Sequence, residues 1–424
     1  MLRHYLVLAT KVLLRRKFFT FISLFGISFT LLVLTIATAM LDHAFGPAAP
    51  ETRQDRTLAV QYAILYGPHN MTGNSAGFKL FDQYARNLPG VERLSLFTRN
   101  FEAFSYVNGQ KVQSSMKRTD GEFWQILDFR FVEGAPYSHD DVDQARFVAV
   151  INTTTRRRFF GSGLAVGQTI EAFDQRFRVV GVVEDVSEMR NIPFGDIWVP
   201  LTTVKSNAYK AQLMGGFNAI ALATSRSSLP AIREEFNARL KRVELPNPRQ
   251  YDTLVAPFET KFENFARTIA EATQGFAVRK SPTFAESQAW KAVVAFTVVG
   301  ILFALLPTIN LINLNVSRIM ERTSEIGVRK AFGASSQALV VQFVVENVLL
   351  TLIGAVIGFV LSLFVLRALN ESGIIRYAHF AMNVRVFGFG VLLALAFGLV
   401  SGVYPAWRMS RMHAVEALKG GRLR

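Results

Sequence analysis

Long uncharged runs alternate with charged sequence along this chain. Residues 18–41, 292–316, 347–366 and 386–407 contain no charged side chain. An α-helix rises 1.5 Å per residue, so about 20 apolar residues cross the roughly 30 Å hydrocarbon layer of a membrane. The pattern therefore predicts four membrane spans, at residues 18–41, 291–316, 339–366 and 386–407.

The N-terminal stretch differs from these runs because it carries charge. Residues 1–17 place apolar side chains at helical spacing with basic residues between them, which predicts an amphipathic helix on the membrane surface. The first apolar run ends in Ala37-Thr38-Ala39, which is similar to a signal-peptidase site, so a cleaved signal peptide is an alternative. The run is longer than the core of about 7–15 residues that signal peptides use, which favours a retained span.

Residues 42–290 have the mixed polarity of a water-soluble domain. Residues 56–65 alternate like a strand, and residues 77–88 have helical spacing. The same order, strand then helix, recurs at residues 219–224 and 228–241. Two such units, far apart in sequence, predict one α/β subdomain that is split by an insertion.

The insertion covers residues 117–205 and is predicted to be β-rich, with strands at 147–152, 177–186 and 197–201. The α/β subdomain then consists of residues 42–116 and 206–285. The expected fold class is an α-helical membrane protein with four transmembrane helices and a large extracytoplasmic domain. That domain, α/β plus β in two subdomains, is inserted between helices 1 and 2.

The formal net charge of +15 is concentrated beside the apolar runs. Basic residues cluster in residues 1–17, in the loop at 317–338 and in the tail at 408–424, as in the cytoplasmic segments of membrane proteins. Both termini and that loop are therefore expected in the cytoplasm, with residues 42–290 and the loop at 367–385 outside. This location of the charge indicates a lipid membrane as partner and argues against nucleic acid.

No arrangement of residues in the sequence predicts catalysis on this chain. The six histidines are scattered and there is no cysteine. The HExxH, GxSxG and GxxxxGK motifs of metalloproteases, hydrolases and nucleotide-binding loops are absent. We therefore expect no catalytic residue, metal or cofactor here, and a source of energy on another chain.

Several positions inside the predicted spans point to helix geometry. A proline kinks or opens a helix, and small residues four apart allow two helices to approach closely. The candidates are Pro307 for a kink and, for packing, Gly354, Gly358, Gly398 and Gly402. Glu346 is an ionisable group within the third span, and both a structural and a functional role remain open for it.

The loop between spans two and three carries the most specific pattern. It reads Glu325, Ile326, Gly327, Val328, Arg329, Lys330, Ala331, Phe332, Gly333 and Ala334. The first and fifth residues are four apart and meet on one helix face, the apolar residues fit a pocket on a partner, and the second-last residue can end the helix. The alternative, a solvated basic loop that only sets topology, explains the charges and not the apolar side chains.

This segment resembles the cytoplasmic loop of the MacB/FtsX-type permeases of ABC transporters, the mechanotransmission class. The tail Tyr404–Lys419 is similar to the C-terminal motif of that family, with departures at Met409 and at His413-Ala414. Stretches within residues 120–134, 148–170 and 177–185 resemble the family's periplasmic core domain.

The resemblance implies a multi-pass permease of the bacterial cytoplasmic (inner) membrane, pairing with itself or with a similar permease. Residues 325–334 would act as a coupling helix on a separate ABC ATPase dimer, which would bind the ATP and Mg²⁺. The external domain would serve export or extraction of antibiotics, peptides or lipoproteins, and residues 117–205 would contact a periplasmic adaptor or substrate. The alternatives are an FtsX-like regulator of a cell-wall hydrolase and a receptor or scaffold without an ATPase.

Overall fold

The computed structural model describes residues 2–15, 17–107, 109–274, 286–302, 305 and 335–410. These residues fall into two compact units. The helical unit draws on Met1–His43, Val294–Ile374 and His379–Arg424, and the sheet unit on Ala44–Val293 together with Ile375–Ala378. Pro307 and Glu325–Ala334 lie outside the described residues.

The long helices follow the apolar runs of the sequence. They are α1 (Leu2–Arg15), α2 (Lys17–Phe45), a helix over residues 286–302 labelled α9, α10 (Ser336–Ser372) and α11 (Val384–Ser410). Within the described part, α2 and residues Val340–Ser372 of α10 are long and apolar enough to cross a membrane, and Val384–Ala396 is a shorter apolar helix. The predicted spans 18–41, 339–366 and 386–407 thus lie inside helices.

Both ends of α10 have a local cause. The Ser335 hydroxyl accepts a hydrogen bond from the Ala338 amide at 3.2 Å and caps the first turn. Gly373 ends the helix with φ of 65°, a left-handed conformation that a residue without Cβ adopts at little cost.

The sheet unit is built on one mixed sheet, and its described strands come from all parts of the domain sequence. They are β1 (Thr57–Val60), β2 (Ala63–Tyr66), β3 (Met71–Ala76), β4 (Val91–Thr98), β5 (Phe101–Val107), β6 (Gln110–Thr119), β7 (Phe131–Gly134), β8 (Val148–Asn152), β9 (Thr169–Ala172), β10 (Gln175–Val183), β11 (Ile197–Pro200), β12 (Met214–Gly215), β13 (Phe217–Ala223) and β14 (Thr253–Val255). The main path has the order β14-β2-β3-β13-β4-β6-β11-β8-β10-β7.

The two ends of this path differ in how their strands pair. From β14 to β4 the strands are antiparallel, whereas β6 with β11 and β8 with β10 are parallel pairs. A single pairing, Phe97 with Thr119, connects β4 to β6, so the sheet runs on from one part to the other. The predicted boundary at residue 117 falls inside β6.

Six helices accompany the sheet: α3 (Phe78–Tyr84), α4 (Glu122–Ile126), α5 (His139–Asp143), α6 (Thr153–Phe160), α7 (Leu229–Leu240) and α8 (Lys261–Gln274). Helices α4 to α6 lie in the stretch that alternation predicts to be mostly strand. They are too short to show helical periodicity, and caps stabilise two of them. Ser138 forms a capping box with Asp141, and the Asn152 side chain accepts from the Thr155 amide at 2.7 Å.

The described residues of the sheet unit form four hydrophobic clusters, the smallest of which is Tyr62, Ile64, Tyr66 and Val255. Phe81, Ile232 and Phe236 of α3 and α7 are fully buried against one end of the sheet. A second cluster centres on Phe123 and Trp198, and a third lies around β8 and β10. Phe78 and Tyr209 pack against both the first and the second cluster, so these two parts of the core are continuous.

Candidate functional site

The chain enters the sheet unit through a segment, Gly46–Glu51, that follows the end of α2. Glu51 is a carboxylate only 7% exposed. It accepts hydrogen bonds from Arg190 Nη1 at 2.9 Å and from Lys261 Nζ at 2.7 Å. Gln54 Nε2 adds a third bond at 3.1 Å. We call Glu51, Arg190 and Lys261 the root cluster.

Arg190 connects the root cluster to the backbone of the entering segment. Its guanidinium donates to the Gly46 carbonyl at 2.9 Å and to the Ala48 carbonyl at 3.4 Å, and the side chain is 4% exposed. A planar guanidinium with five donors is suited to holding several acceptors in fixed geometry. One side chain of the β10–β11 connection therefore fixes three positions of the segment that leaves α2.

Lys261 brings a second element into the root cluster, because it is the first residue of α8. Burial lowers the pKa of Lys261, the Glu51 carboxylate raises it, and the Arg190 guanidinium lowers it. Since a buried charge that loses its partner costs about 3–5 kcal/mol, the three groups depend on one another. The root cluster therefore ties together the exit of α2, the start of α8 and the sheet.

An aromatic contact reinforces this junction. The ring of Phe45, the last residue of α2, lies 5.4 Å from the ring of Phe262 and 5.1 Å from that of Phe265 on α8, both in edge-to-face geometry. Such pairs add about 0.5–1.5 kcal/mol to the burial of the rings.

A second buried ion pair also holds α8. Arg267 Nε lies 2.8 Å from Glu259 Oε1, and its guanidinium stacks 3.9 Å from the centre of the Tyr62 ring. Glu271 accepts a further bond from Arg267 Nη1 at 2.5 Å. Burial raises the pKa of Glu259, and Arg267 opposes this by stabilising the carboxylate. Lys261 and Arg267 thus hold α8 at two points along its length. This helix leads along the chain toward α9.

The sheet unit also includes a short piece of chain from between α10 and α11. In residues Ile375–Ala378, the Tyr377 hydroxyl donates to Asp196 Oδ1 at 2.6 Å. The Arg376 carbonyl accepts from the Glu188 amide at 3.0 Å, and its guanidinium lies over the Phe194 ring. Burial and the Asp196 carboxylate together raise the pKa of Tyr377.

Asp196 is the fully buried anchor of that contact. It also accepts from the Ser115 amide at 2.7 Å and from Asn152 Nδ2 at 3.1 Å, so its oxygens are satisfied by three elements. Tyr377 adopts a left-handed backbone with φ of 58°, which costs a side-chain-bearing residue about 1 kcal/mol or more. The hydrogen bond to Asp196 offsets that cost.

The glycines named from the sequence fall at close helix contacts in the helical unit. A Cβ on Gly354 would lie 2.8 Å from Ile27 of α2, and one on Gly358 would lie 3.0 Å from the Ser28 carbonyl. A Cβ on Gly398 would lie 3.2 Å from Thr351 Oγ1, and Gly402 lies within α11. Gly354 and Gly358 therefore share one face toward α2, and Gly398 faces α10.

Glu346 is buried within α10, with 4% of its surface exposed. Its Oε1 accepts a hydrogen bond from Gln342 Nε2 at 3.1 Å, one turn earlier. The amide side chain provides a local structural partner, and this contact alone does not assign a function to the carboxylate.

The sequence gives no signal for the root cluster. Residues 51, 190 and 261 are far apart along the chain and belong to no spacing motif. In the described part of the chain, no group of three or more His, Cys, Asp or Glu side chains is placed to hold a metal ion. The root cluster holds the segment Gly46–Glu51 to the start of α8 and to the β10–β11 connection, all within the sheet unit.

Comparison with protein families identifies two matching models. The MacB-like periplasmic core domain matches residues 20–239, and the FtsX-like permease C-terminal domain matches residues 297–414. The first match covers about half of the chain and includes Glu51 and Arg190. The second includes the loop segment Glu325–Ala334 and the whole of the long helices α10 and α11.

Two curated relatives illustrate the similarity. An uncharacterized ABC transporter permease, YvrN of Bacillus subtilis, is 25% identical over 78% of this chain and 76% of its own length. The macrolide export ATP-binding/permease protein MacB of Bdellovibrio bacteriovorus is 26% identical over 68% of this chain, but over only 41% of its own length. Among solved structures, the periplasmic region of MacB from Actinobacillus actinomycetemcomitans has a TM-score of 0.36 at 14% identity, covering 50% of this chain and 92% of that one.

Proposed function

The chain belongs to the MacB/FtsX-type permeases of ABC transporters, and from this premise we propose that it transmits ATP-driven motion of a separate ATPase to its extracytoplasmic domain. In this proposal the chain hydrolyses no ATP itself. Its partners are an ABC ATPase dimer, a second permease chain and the lipid membrane.

The proposed contact with the ATPase is the segment Glu325–Ala334. Its place between two predicted spans and the pairing of Glu325 with Arg329 at a spacing of four support this assignment. Ile326, Val328 and Phe332 would fill a groove of the ATPase, so that closure of the ATPase dimer draws the two permease chains together.

The root cluster is the observation that carries the mechanical part of the proposal. A force applied along α2 reaches the sheet unit only if the joint between them resists bending. Arg190 and Lys261 both bond the buried Glu51, and Phe45 packs on α8. Opening this joint would expose buried charge partners and aromatic rings at once, so Phe45, the segment Gly46–Glu51 and the start of α8 are expected to move together with the sheet, all of them within the sheet unit.

The segment Ile375–Ala378 supplies a further connection in the same scheme. It follows α10 and precedes α11 along the chain, and Tyr377 holds it to the buried Asp196. Residues 42–290 are joined covalently to the predicted spans at their two ends, and this segment adds a third link that is made by hydrogen bonds. Three links restrain rotation of a domain better than two, which suits the transmission of torque.

The work done outside the membrane is proposed to be the export or extraction of an antibiotic, a peptide or a lipoprotein. The relative from Bdellovibrio bacteriovorus is named for macrolide export, and that activity is a starting candidate for testing this chain. A periplasmic adaptor or the substrate itself would contact the part of the domain formed by residues 117–205.

Co-purification of the detergent-solubilised chain with the ABC ATPases of its host tests the proposal. We expect a stable complex in the wild type and its loss in Glu325→Lys and in Gly327→Trp, because these changes reverse a charge and add bulk in the coupling segment. Glu321→Lys, in the same loop and outside the motif, is the matched control and should retain the ATPase. Full ATPase binding and turnover in both test variants would contradict the assignment.

A further inference from the structure

One face of α8 and several strands enclose a cavity of about 520 Å³. This volume is within the range of about 300–1,000 Å³ that is typical of small-molecule sites. Asn264, Arg267, Thr268 and Glu271 of α8 line it, as do Phe97 of β4 and Lys117 of β6. We call it the α8 cavity. All of its lining residues lie in the sheet unit.

The charges around the α8 cavity do not balance. Arg267 is compensated by Glu259 and Glu271. Arg99 and Lys117 also line the cavity, and neither forms a salt bridge within the described part of the chain. Partial burial and the nearby Arg267 guanidinium lower the pKa of Arg99, which means that two cations repel each other here. The cavity therefore has an excess of positive charge.

Lys117 is the less usual of the two cations, because it is only 1% exposed. Its ammonium donates to the Asn191 carbonyl at 3.1 Å and to the Ile192 carbonyl, and it lies 5.3 Å from the centre of the Phe97 ring. Burial lowers its pKa to about 7, with Glu51 acting in the opposite direction. A buried lysine with neutral partners is costly, and an anion beside it would stabilise its charged form.

Amide side chains provide the remaining polar surface of the α8 cavity. Asn100, Asn191, Asn218 and Asn264 all line it, and an amide both donates and accepts hydrogen bonds. The Asn100 Oδ1 atom is buried and has no hydrogen-bond partner among the described residues. Buried acceptors in folded proteins are usually hydrogen-bonded, so a bound molecule with a donor group would satisfy this oxygen.

We propose that the α8 cavity binds a small organic oxyanion, a carboxylate or a phosphate ester, that also carries hydrogen-bond donors. Arg99 and Lys117 would bind the anionic group, and Asn100 would accept a hydrogen bond from a hydroxyl or amine of the same molecule. This site goes beyond the proposed function and does not depend on it, since binding requires neither an ATPase nor a substrate for transport.

The test is calorimetric titration of the full-length chain in detergent with citrate, with glycerol 3-phosphate and with glycerol. We expect at least one of the two anions to bind with saturation, and the uncharged glycerol not to bind. The anion that binds more tightly identifies the oxyanion as a carboxylate or a phosphate. Failure of both anions to bind would overturn the proposal.

Arg99→Gln is the decisive variant, because Arg99 is an exposed residue of the cavity rim whose replacement should leave the fold intact. Loss of a charged hydrogen-bond donor should weaken anion binding by about tenfold or more. Arg176→Gln, which removes an arginine 80% exposed and not part of the cavity lining, is the matched control and should bind like the wild type. Equal affinity in Arg99→Gln and wild type, with unchanged unfolding temperatures, would overturn the proposal.

Discussion

The Arg190 guanidinium joins more parts of the root cluster than its two partners do. It bonds the Glu51 carboxylate and two backbone carbonyls of the segment that follows α2. Its 4% exposure means that water cannot replace these bonds without opening the domain. Buried hydrogen bonds from the Arg190 guanidinium therefore hold the segment that follows α2 in the sheet unit.

Replacing Arg190 with methionine should lower the free energy of unfolding of the sheet unit by about 3–5 kcal/mol, because Glu51 and the two carbonyls lose a buried partner. Thermal unfolding of the detergent-solubilised chain measures this. Arg130→Met is the control, since the Arg130–Glu184 pair is 3.7 Å apart and its side chains are 70% and 60% exposed. An equal loss of unfolding free energy in the two variants would show that the buried Arg190 pair contributes no more to stability than the exposed Arg130 pair.

Lys117 predicts a dependence of stability on pH. Its folded-state pKa of about 7 lies below the ordinary value of 10.5, so between these pH values the unfolded chain binds a proton that the folded chain does not. Stability contributed by this residue should therefore rise with pH in that window, by at most about 1.4 kcal/mol per pH unit. Other groups also titrate there, so the comparison must be with a variant.

Lys117→Met removes the titrating group and keeps most of the side-chain volume. The difference in unfolding free energy between wild type and variant should change in favour of the wild type as the pH rises from 7 to 10. Denaturant titrations at several pH values measure it, with Lys111→Met, an exposed lysine of the same strand, as control. A pH-independent difference would contradict the lowered pKa.

At the scale of elements, α2 and α10 approach closely because two glycines leave room for Ile27 and for the Ser28 backbone. Gly354→Leu should destabilise the helical unit by about 1–3 kcal/mol, since the added side chain meets α2. Gly388→Leu in α11 is the matched control, because a Cβ there meets none of the described atoms within 4 Å. Both changes favour helix formation equally, so an unfolding temperature that falls only in Gly354→Leu isolates the packing effect. The same unfolding temperature in both variants would contradict the close contact.

The segment Ile375–Ala378 offers a second test among the elements. Tyr377→Phe removes the hydroxyl that donates to Asp196 and should cost about 1–3 kcal/mol of local stability, because a buried carboxylate loses a donor. Hydrogen exchange of the Glu188 amide, which donates to the Arg376 carbonyl, reports on this segment. Exchange should accelerate in Tyr377→Phe and remain unchanged in Tyr106→Phe, whose side chain is exposed; protection retained in both would count against the contact.

Elements with a strong local pattern were predictable from the sequence. β8, β10, β11 and α7 lie where apolar runs, alternation or helical spacing place them. Helices α4 to α6 were missed because caps rather than periodicity define them. The root cluster and the α8 cavity were not predictable either, since Glu51, Arg190 and Lys261 meet only through the tertiary fold.

At the scale of the whole molecule, the chain combines a MacB-like periplasmic core domain with an FtsX-like permease C-terminal domain. The proposed coupling segment falls within the match to the permease C-terminal domain, and Glu51 and Arg190 of the root cluster fall within the match to the core domain. If the two act together, a change at Glu325 and a change at Arg190 should give different defects. The first should abolish ATPase binding, and the second should leave it intact while reducing motion of the domain.

The most direct measurement of that motion uses the absence of cysteine from the sequence. Ser162→Cys provides one site for a spin label at an exposed turn of the sheet unit. Double electron–electron resonance then reports the distance between the labels on the two permease chains in the complex with the ATPase. We expect ATP trapping to shift this distance in the wild type. Arg190→Met should reduce the shift, and Arg130→Met should leave it unchanged. An unchanged distance on ATP trapping, with the ATPase still bound and active, would contradict the transmission of motion.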